Sequence, residues 1–189
     1  MNSTLIIVLV IAGIFLLIVI SIYNSLTNKK NQVNNAFGTI DVQLKNRYDL
    51  IPNLVASVQQ YTTHEKDLLT KITELRAKAL SPEINTEERV KLDNQISSAI
   101  SGLMVSVENY PDLKANQNFI DLQKALNEVE SQIAAARRAY NAAVTDYNNA
   151  IEMFPGNLMA GMMLLKTKQV FTATEAEREN VNVKNLFNA

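Results

Sequence analysis

A chain of 189 residues accommodates one domain of ordinary size together with an anchor. Its 18 basic and 19 acidic residues leave a formal net charge of -1, which excludes a strong field for gathering nucleic acid or an acidic polymer. Cysteine is absent, so disulfides, thiolate nucleophiles, iron-sulfur clusters and cysteine zinc sites are excluded as well, and five glycines, four prolines and no tryptophan favour helices over turn-dense β structure.

The first element is an apolar run. From Leu5 to Ile20 the sequence reads LIIVLVIAGIFLLIVI, sixteen residues without a charge, and Ser21, Ile22 and Tyr23 extend it to nineteen. That length spans the hydrocarbon of a bilayer. Fourteen of the sixteen are Leu, Ile, Val or Phe, and at roughly 0.3 to 0.6 kcal/mol each they favour insertion by roughly 4 to 8 kcal/mol. A cleaved signal peptide begins with a basic segment and ends on small residues. Here Met-Asn-Ser-Thr precedes the run and Tyr23-Asn24 follows it, so residues 1–28 read as an uncleaved anchor with its span at about 5–23. Lys29 and Lys30 follow the span and no Lys or Arg precedes it, which predicts a short N-terminus outside and a cytosolic C-terminal domain. The expected location is the inner membrane of the cell, crossed once.

Val33, Phe37, Ile40, Leu44, Ile51, Leu54, Val58 and Tyr61 come next, in steps of four and three with a gap at Arg47, the seam of a coiled-coil-like helix. A shorter run carries Leu68, Leu69, Ile72, Leu75 and Ala79 and stops at Ser81-Pro82. Asn85-Thr86 followed by Glu87 and Glu88 predicts a helix start, and Ile96, Ile100, Leu103, Val107 and Tyr110 continue that helix to Pro111. The longest seam runs through Phe119, Leu122, Leu126, Val129, Ile133, Ala136, Tyr140, Val144, Tyr147 and Ile151 and ends at Pro155-Gly156. The predicted fold is therefore all-α, an N-terminal transmembrane helix followed by an elongated antiparallel four-helix bundle over residues 29–170, with a polar tail at 171–189. In that tail Val181, Val183 and Phe187 could pack locally or on another copy. Short joints make consecutive helices antiparallel, so the fourth helix should bring its C-terminal end, and Asn157 to Lys166 after it, back beside the anchor. The second helix is too short to return the full distance and could instead form a kinked extension.

From Ile40 to Val55 the chain reads IDVQLKNRYDLIPNLV, with Asp41, Gln43, Arg47, Asp49, Pro52 and Asn53 as its polar and proline positions, and here it closely resembles the LemA family of bacterial membrane proteins. The likeness extends back through Tyr23-Asn24 and Lys30-Asn31 to Ala36-Phe37. It extends forward through His64-Glu65, YPDLKANQNF from Tyr110 to Phe119, ARRAYN from Ala136 to Asn141 and FPGN from Phe154 to Asn157, leaving the tail beyond about Val170. The resemblance implies a single N-terminal span and a helical-bundle domain, and it implies no defined molecular activity.

Arg47 fills the gap in its seam, and a buried guanidinium without a counter-charge would be costly. The bland expectation pairs it with a carboxylate such as Glu128 or Glu130 on the fourth helix, or lets it reach the surface. The sharper one makes it a polar position that fixes helix register or docks a partner. Pro52 predicts a kink, because its ring removes a backbone donor and crowds the carbonyl of Tyr48. His64 stands alone beside Glu65 and Asp67 without zinc-ligand spacing. Arg137-Arg138 with Tyr140 and Tyr147 could meet a nucleic acid, but tyrosines seven apart read better as core. Leu158, Met159, Met162, Met163, Leu164 and Leu165 form an adaptable apolar cluster after the Pro-Gly break, either folded back over the bundle's end or facing membrane headgroups or a neighbouring subunit.

No P-loop, dinucleotide fingerprint or nucleophile elbow occurs. The expected function is a non-enzymatic, membrane-anchored scaffold or adaptor that self-associates, with the lipid bilayer, further copies of itself and a membrane protein as partners, and with no cofactor, metal, nucleic acid or small-molecule substrate. Magnetosome-membrane proteins that resemble the family imply membrane shaping. Family members encoded beside membrane-bound peptidases imply the alternative, a regulatory partner of a membrane protease or envelope signalling system.

Overall fold

A computed structural model describes residues 3–171 apart from 63, 83 and 85. The expected cap at Asn85, the side chains of Thr86 and Glu87, and the tail residues Val181, Val183 and Phe187 lie outside the described residues. The fold is all-α: α1 (Ser3–Gln59), α2 (Lys66–Ala79), α3 (Thr86–Val107), α4 (Pro111–Lys114), α5 (Gln117–Glu152) and α6 (Gly156–Met162), with no strand among the described residues.

The apolar run and the first seam belong to one helix of 57 residues, α1, which is continuous through Pro52. None of its most apolar window is buried, and Phe15 and Leu17 are 67% and 68% exposed. A core helix of a soluble domain hides such residues. This is one N-terminal helix compatible with a single-pass membrane protein.

The chain divides into two compact units, and α1 and α5 each contribute to both. The first takes residues 1–46 and 128–170. In it Leu26, Val33, Ile40 and Leu44 of α1 are buried together with Ile133, Ala136, Tyr140, Val144, Tyr147 and Ile151 of α5. The direction of α5 follows from two contacts. Phe37 meets Tyr140 edge-on with ring centroids 6.0 Å apart, and Leu26 lies against Gly156, so α5 runs antiparallel to this part of α1.

The second unit takes residues 47–127. Ile51, Leu54 and Val58 of α1, Leu69, Ile72, Leu75 and Ala79 of α2, Ile96, Ala99, Leu103 and Val107 of α3, Leu113 of α4, and Phe119 and Leu126 of α5 form its core. Arg76 reaches Tyr48 near one end of α2, while Gln59 and Lys66 share a groove at the other, so α2 doubles back on α1 as predicted. Helices α2 and α3 belong wholly to this unit. At 1.5 Å per residue, their 14 and 22 residues reach roughly 21 and 33 Å, whereas the part of α1 beyond the apolar run reaches roughly 54 Å. The expected four-helix arrangement over residues 29–170 therefore does not run the whole length: the first unit has two long helices, closed by α6.

The boundaries depart from expectation for local reasons. Helix α3 stops at Val107 rather than Tyr110, because Tyr110 precedes Pro111 and takes an extended conformation (φ -122, ψ 81). Pro111 then starts α4 at the position where proline costs no helical hydrogen bond. Asn116 begins α5, its Oδ1 accepting from the Phe119 backbone N–H at 3.2 Å.

Candidate functional site

The polar residues of the family-like segment separate into buried and exposed sets. Arg47 is 1% exposed and lies in phase with Ile40, Leu44, Ile51 and Leu54, so the helix aims it inward. Its partner is Asp93 of α3, equally buried, to which Nη2 forms a salt bridge, and Nη1 donates to Ser97 Oγ at 2.7 Å. The expected kind of partner, a carboxylate, comes here from α3, whereas Glu128 on α5 is exposed and accepts from Gln132 on its own helix. Asp49, Pro52 and Asn53 are exposed on the next turns of α1. In the other unit Asp41 and Gln43 are half-buried, and Gln43 accepts from Asn46 at 3.2 Å.

Pro52 has no N–H to offer the carbonyl of Tyr48, its i-4 neighbour in α1. That carbonyl accepts instead from Nε of Arg76 at 2.7 Å. The defect in one helix thus becomes a tie to another, and the sequence reading missed Arg76 entirely. Beyond Pro52, α1 and α2 border a groove of about 620 Å³, lined by Val55, Gln59, Leu69, Ala77, Lys66 and Glu74 with Thr62, Thr70 and Thr73. Thr62, Thr70 and Thr73 donate to backbone carbonyls four residues earlier, which settles the hydroxyl protons. At the end of α2, Tyr110 donates to Glu65 Oε2 at 2.7 Å, and that bond holds the phenol above the usual tyrosine range.

The first unit carries the apolar cluster. After α5 the chain turns through a cis Phe154–Pro155 bond into α6. Gly156 is buried there, since any Cβ would run into the Ala150 carbonyl oxygen and come within 3.8 Å of Leu26 Cδ2. Ala160 packs inward and Met159, Met163 and Leu165 are half-buried, while Leu158, Met162 and Leu164 are 65%, 80% and 85% exposed, joined by Met153 at 63% and Phe154 at 79%. The cluster both folds back on the unit and presents an outer apolar face. Two outer residues, Met153 and Phe154, were not in the expected set.

Helix α6 ends in a Schellman-type cap, with Leu165 N–H bonded to Ala160 O at 3.0 Å and Leu164 N–H to Gly161 O at 3.2 Å. The residue in the left-handed position, φ 52, is Leu164, where glycine would fit without strain. Replacing Leu164 with glycine is expected to raise the unfolding free energy by about 1 kcal/mol, read from denaturant titration of the full chain in detergent.

The following residues are strapped along α5. Asn148 donates to Lys168 O at 2.8 Å and accepts from Lys168 N–H at 2.9 Å, while Tyr147 donates to Lys166 O at 3.1 Å. Tyr140 donates to Gln169 O at 3.5 Å, so both tyrosines spend their hydroxyls on the chain itself, and burial pushes both phenols up. Lys168 Nζ donates to Asn34 at 3.0 Å, and burial with Lys30 nearby holds its ammonium below the usual lysine range. His64 is exposed, and among the described residues no three His, Asp or Glu side chains converge as metal ligands would.

The profile of the LemA family matches residues 36–185, reaching into the tail that was expected to fall outside the likeness. Protein LemA of Metamycoplasma hominis is 31% identical over 176 residues, which is 93% of this chain and 80% of that protein. Magnetosome protein MamQ 2 of Paramagnetospirillum magneticum is 30% identical over 95 residues, 50% of this chain and 35% of the relative. Magnetosome protein MamQ of Magnetospirillum gryphiswaldense is 29% identical over 79 residues, 42% of this chain and 29% of the relative. This chain thus spans only about a third of the length of the magnetosome proteins it matches.

Proposed function

We propose, from the premise that this chain belongs to the LemA family, that it is a non-enzymatic adaptor of a cell inner membrane, anchored by residues 5–23 with its C-terminal domain in the cytosol. It presents a helical surface to a membrane protein partner and associates with further copies of itself. The observation that carries the reading is the groove between α1 and α2, open to solvent and bordered by Thr70, Thr73, Leu69 and Val55, on the helix whose preceding turns expose Asp49, Pro52 and Asn53. Such a surface suits a partner segment, with Lys66 and Glu74 available to select its charges. Confinement to one membrane raises effective concentration, so weak lateral contacts become populated. The similarity to magnetosome proteins supports a role at a shaped membrane in the same sense.

A photo-crosslinking residue at Thr70 or Thr73 in intact cells tests this. The expected result is a discrete adduct, identified by mass spectrometry as a second copy or a membrane protein and absent when the same residue replaces exposed Arg138. Detergent-extracted protein that stays monomeric at high concentration, with no adduct at either groove position, would sink the proposal.

A further inference from the structure

We propose that the α5–α6 corner is a second membrane contact, an apolar tip with a basic rim that sits in the anionic headgroup layer of the leaflet from which α1 emerges. The placement comes from within one unit. Gly156 lies against Leu26, and Leu26 is three residues beyond Tyr23, so the corner is held roughly 4.5 Å along the helix from the end of the apolar run. At that level Met153, Phe154, Leu158, Met162 and Leu164 are 63% to 85% exposed. A soluble surface seldom gathers five large apolar side chains over twelve residues without covering them. Leu26, buried against Gly156, ties this exposed cluster to the helix one turn beyond the apolar run, which makes lipid its occupant.

Two further features fit a lipid surface. Leu164 holds a left-handed conformation that favours glycine, yet its side chain is the most exposed of the five, so strain is retained where it presents a methyl-rich group outward. The charges around the tip are also one-sided. Lys29, Lys30 and Lys166 face a single acid, Glu152, over residues 24–30 and 149–166. Lysines beside an apolar tip bind anionic headgroups while the tip enters the acyl boundary.

The chain contains no tryptophan, so single substitutions report their own surroundings. Full-length Phe154→Trp, Met162→Trp, Phe15→Trp in the span and Val105→Trp in the other unit would each be reconstituted in phosphatidylcholine–phosphatidylglycerol bilayers, with and without lipids brominated along the acyl chain from just below the headgroup to the bilayer centre. The expected result is emission from Phe154→Trp and Met162→Trp to the blue of Val105→Trp, with about half of it quenched by brominated lipid. Val105→Trp should be unquenched. If both corner variants behave like Val105→Trp while Phe15→Trp is quenched, the proposal fails and the span stands. Blue emission that brominated lipid does not quench would also overturn it, because protein and not lipid would then cover the corner. Lys30→Gln with Lys166→Gln should reduce corner quenching when phosphatidylglycerol is present and leave it unchanged in phosphatidylcholine alone. An equal effect in both bilayers would overturn the assignment of an anionic surface.

Discussion

Arg47→Met is expected to lower the unfolding free energy of the full-length chain by about 3 to 5 kcal/mol, because Asp93 then loses its counter-charge in a site closed to water. Asp93→Leu should cost a similar amount by stranding the guanidinium. The double variant Arg47→Met with Asp93→Leu is expected to recover most of the loss, to within about 1 kcal/mol of the parent, since a buried pair gives little net stability over well-packed apolar groups. Denaturant titration in detergent, followed by far-UV circular dichroism, measures all three. A cost below about 1 kcal/mol for Arg47→Met would show that water reaches the pair. The double variant also separates stability from specificity: if the pair fixes register, the recovered protein should show doubled or broadened amide resonances around the Tyr61–Asn116 hydrogen bond, 3.0 Å in the parent, where a single register gives one set.

The pair shows where sequence reading succeeds and where it stops. Arg47 was legible as an inward-facing charge because helical periodicity states which face a residue occupies. Asp93 carried the same signal, three residues before Ile96 and in phase with Leu103 and Val107, and went unread. Periodicity names faces, not neighbours, so a carboxylate on the fourth helix was as acceptable as one on α3. The seams of α1, α2 and α5 were legible because burial of one face recurs with the helical period, and the apolar run because its length and lack of charge suit lipid. Ile100 gave way to Ala99 in the core of α3, a shift of one position that packing decides. Leu26 was hidden for a different reason: it follows a largely exposed run and is buried where the chain returns at Gly156. The left-handed Leu164 gave no warning at all, since leucine there violates the local preference that makes such positions readable.

Arg76→Met should cost about 1.5 to 3 kcal/mol, through the Tyr48 carbonyl that Pro52 leaves without its helical donor. The cause predicts its own remedy. Pro52→Ala restores an N–H four residues after Tyr48, so the carbonyl can take its ordinary helical bond, and Arg76→Met in that background should cost no more than about 1 kcal/mol. A coupling of at least about 1 kcal/mol between the two positions is therefore expected from the cycle, measured by the same titration. Strict additivity would mean that the carbonyl finds another donor and that Arg76 serves only its own helix. The cycle bears on function too, because Pro52 is exposed between Asp49 and Asn53 and contributes little side-chain packing to the core. A proline retained in a helix interior, at the expense of a guanidinium tie to α2, makes sense if its shape or its rigid backbone is read from outside. Pro52→Ala should then keep or raise stability while weakening the groove-directed crosslinks, and crosslinks of undiminished yield would assign Pro52 to the architecture of α1 alone.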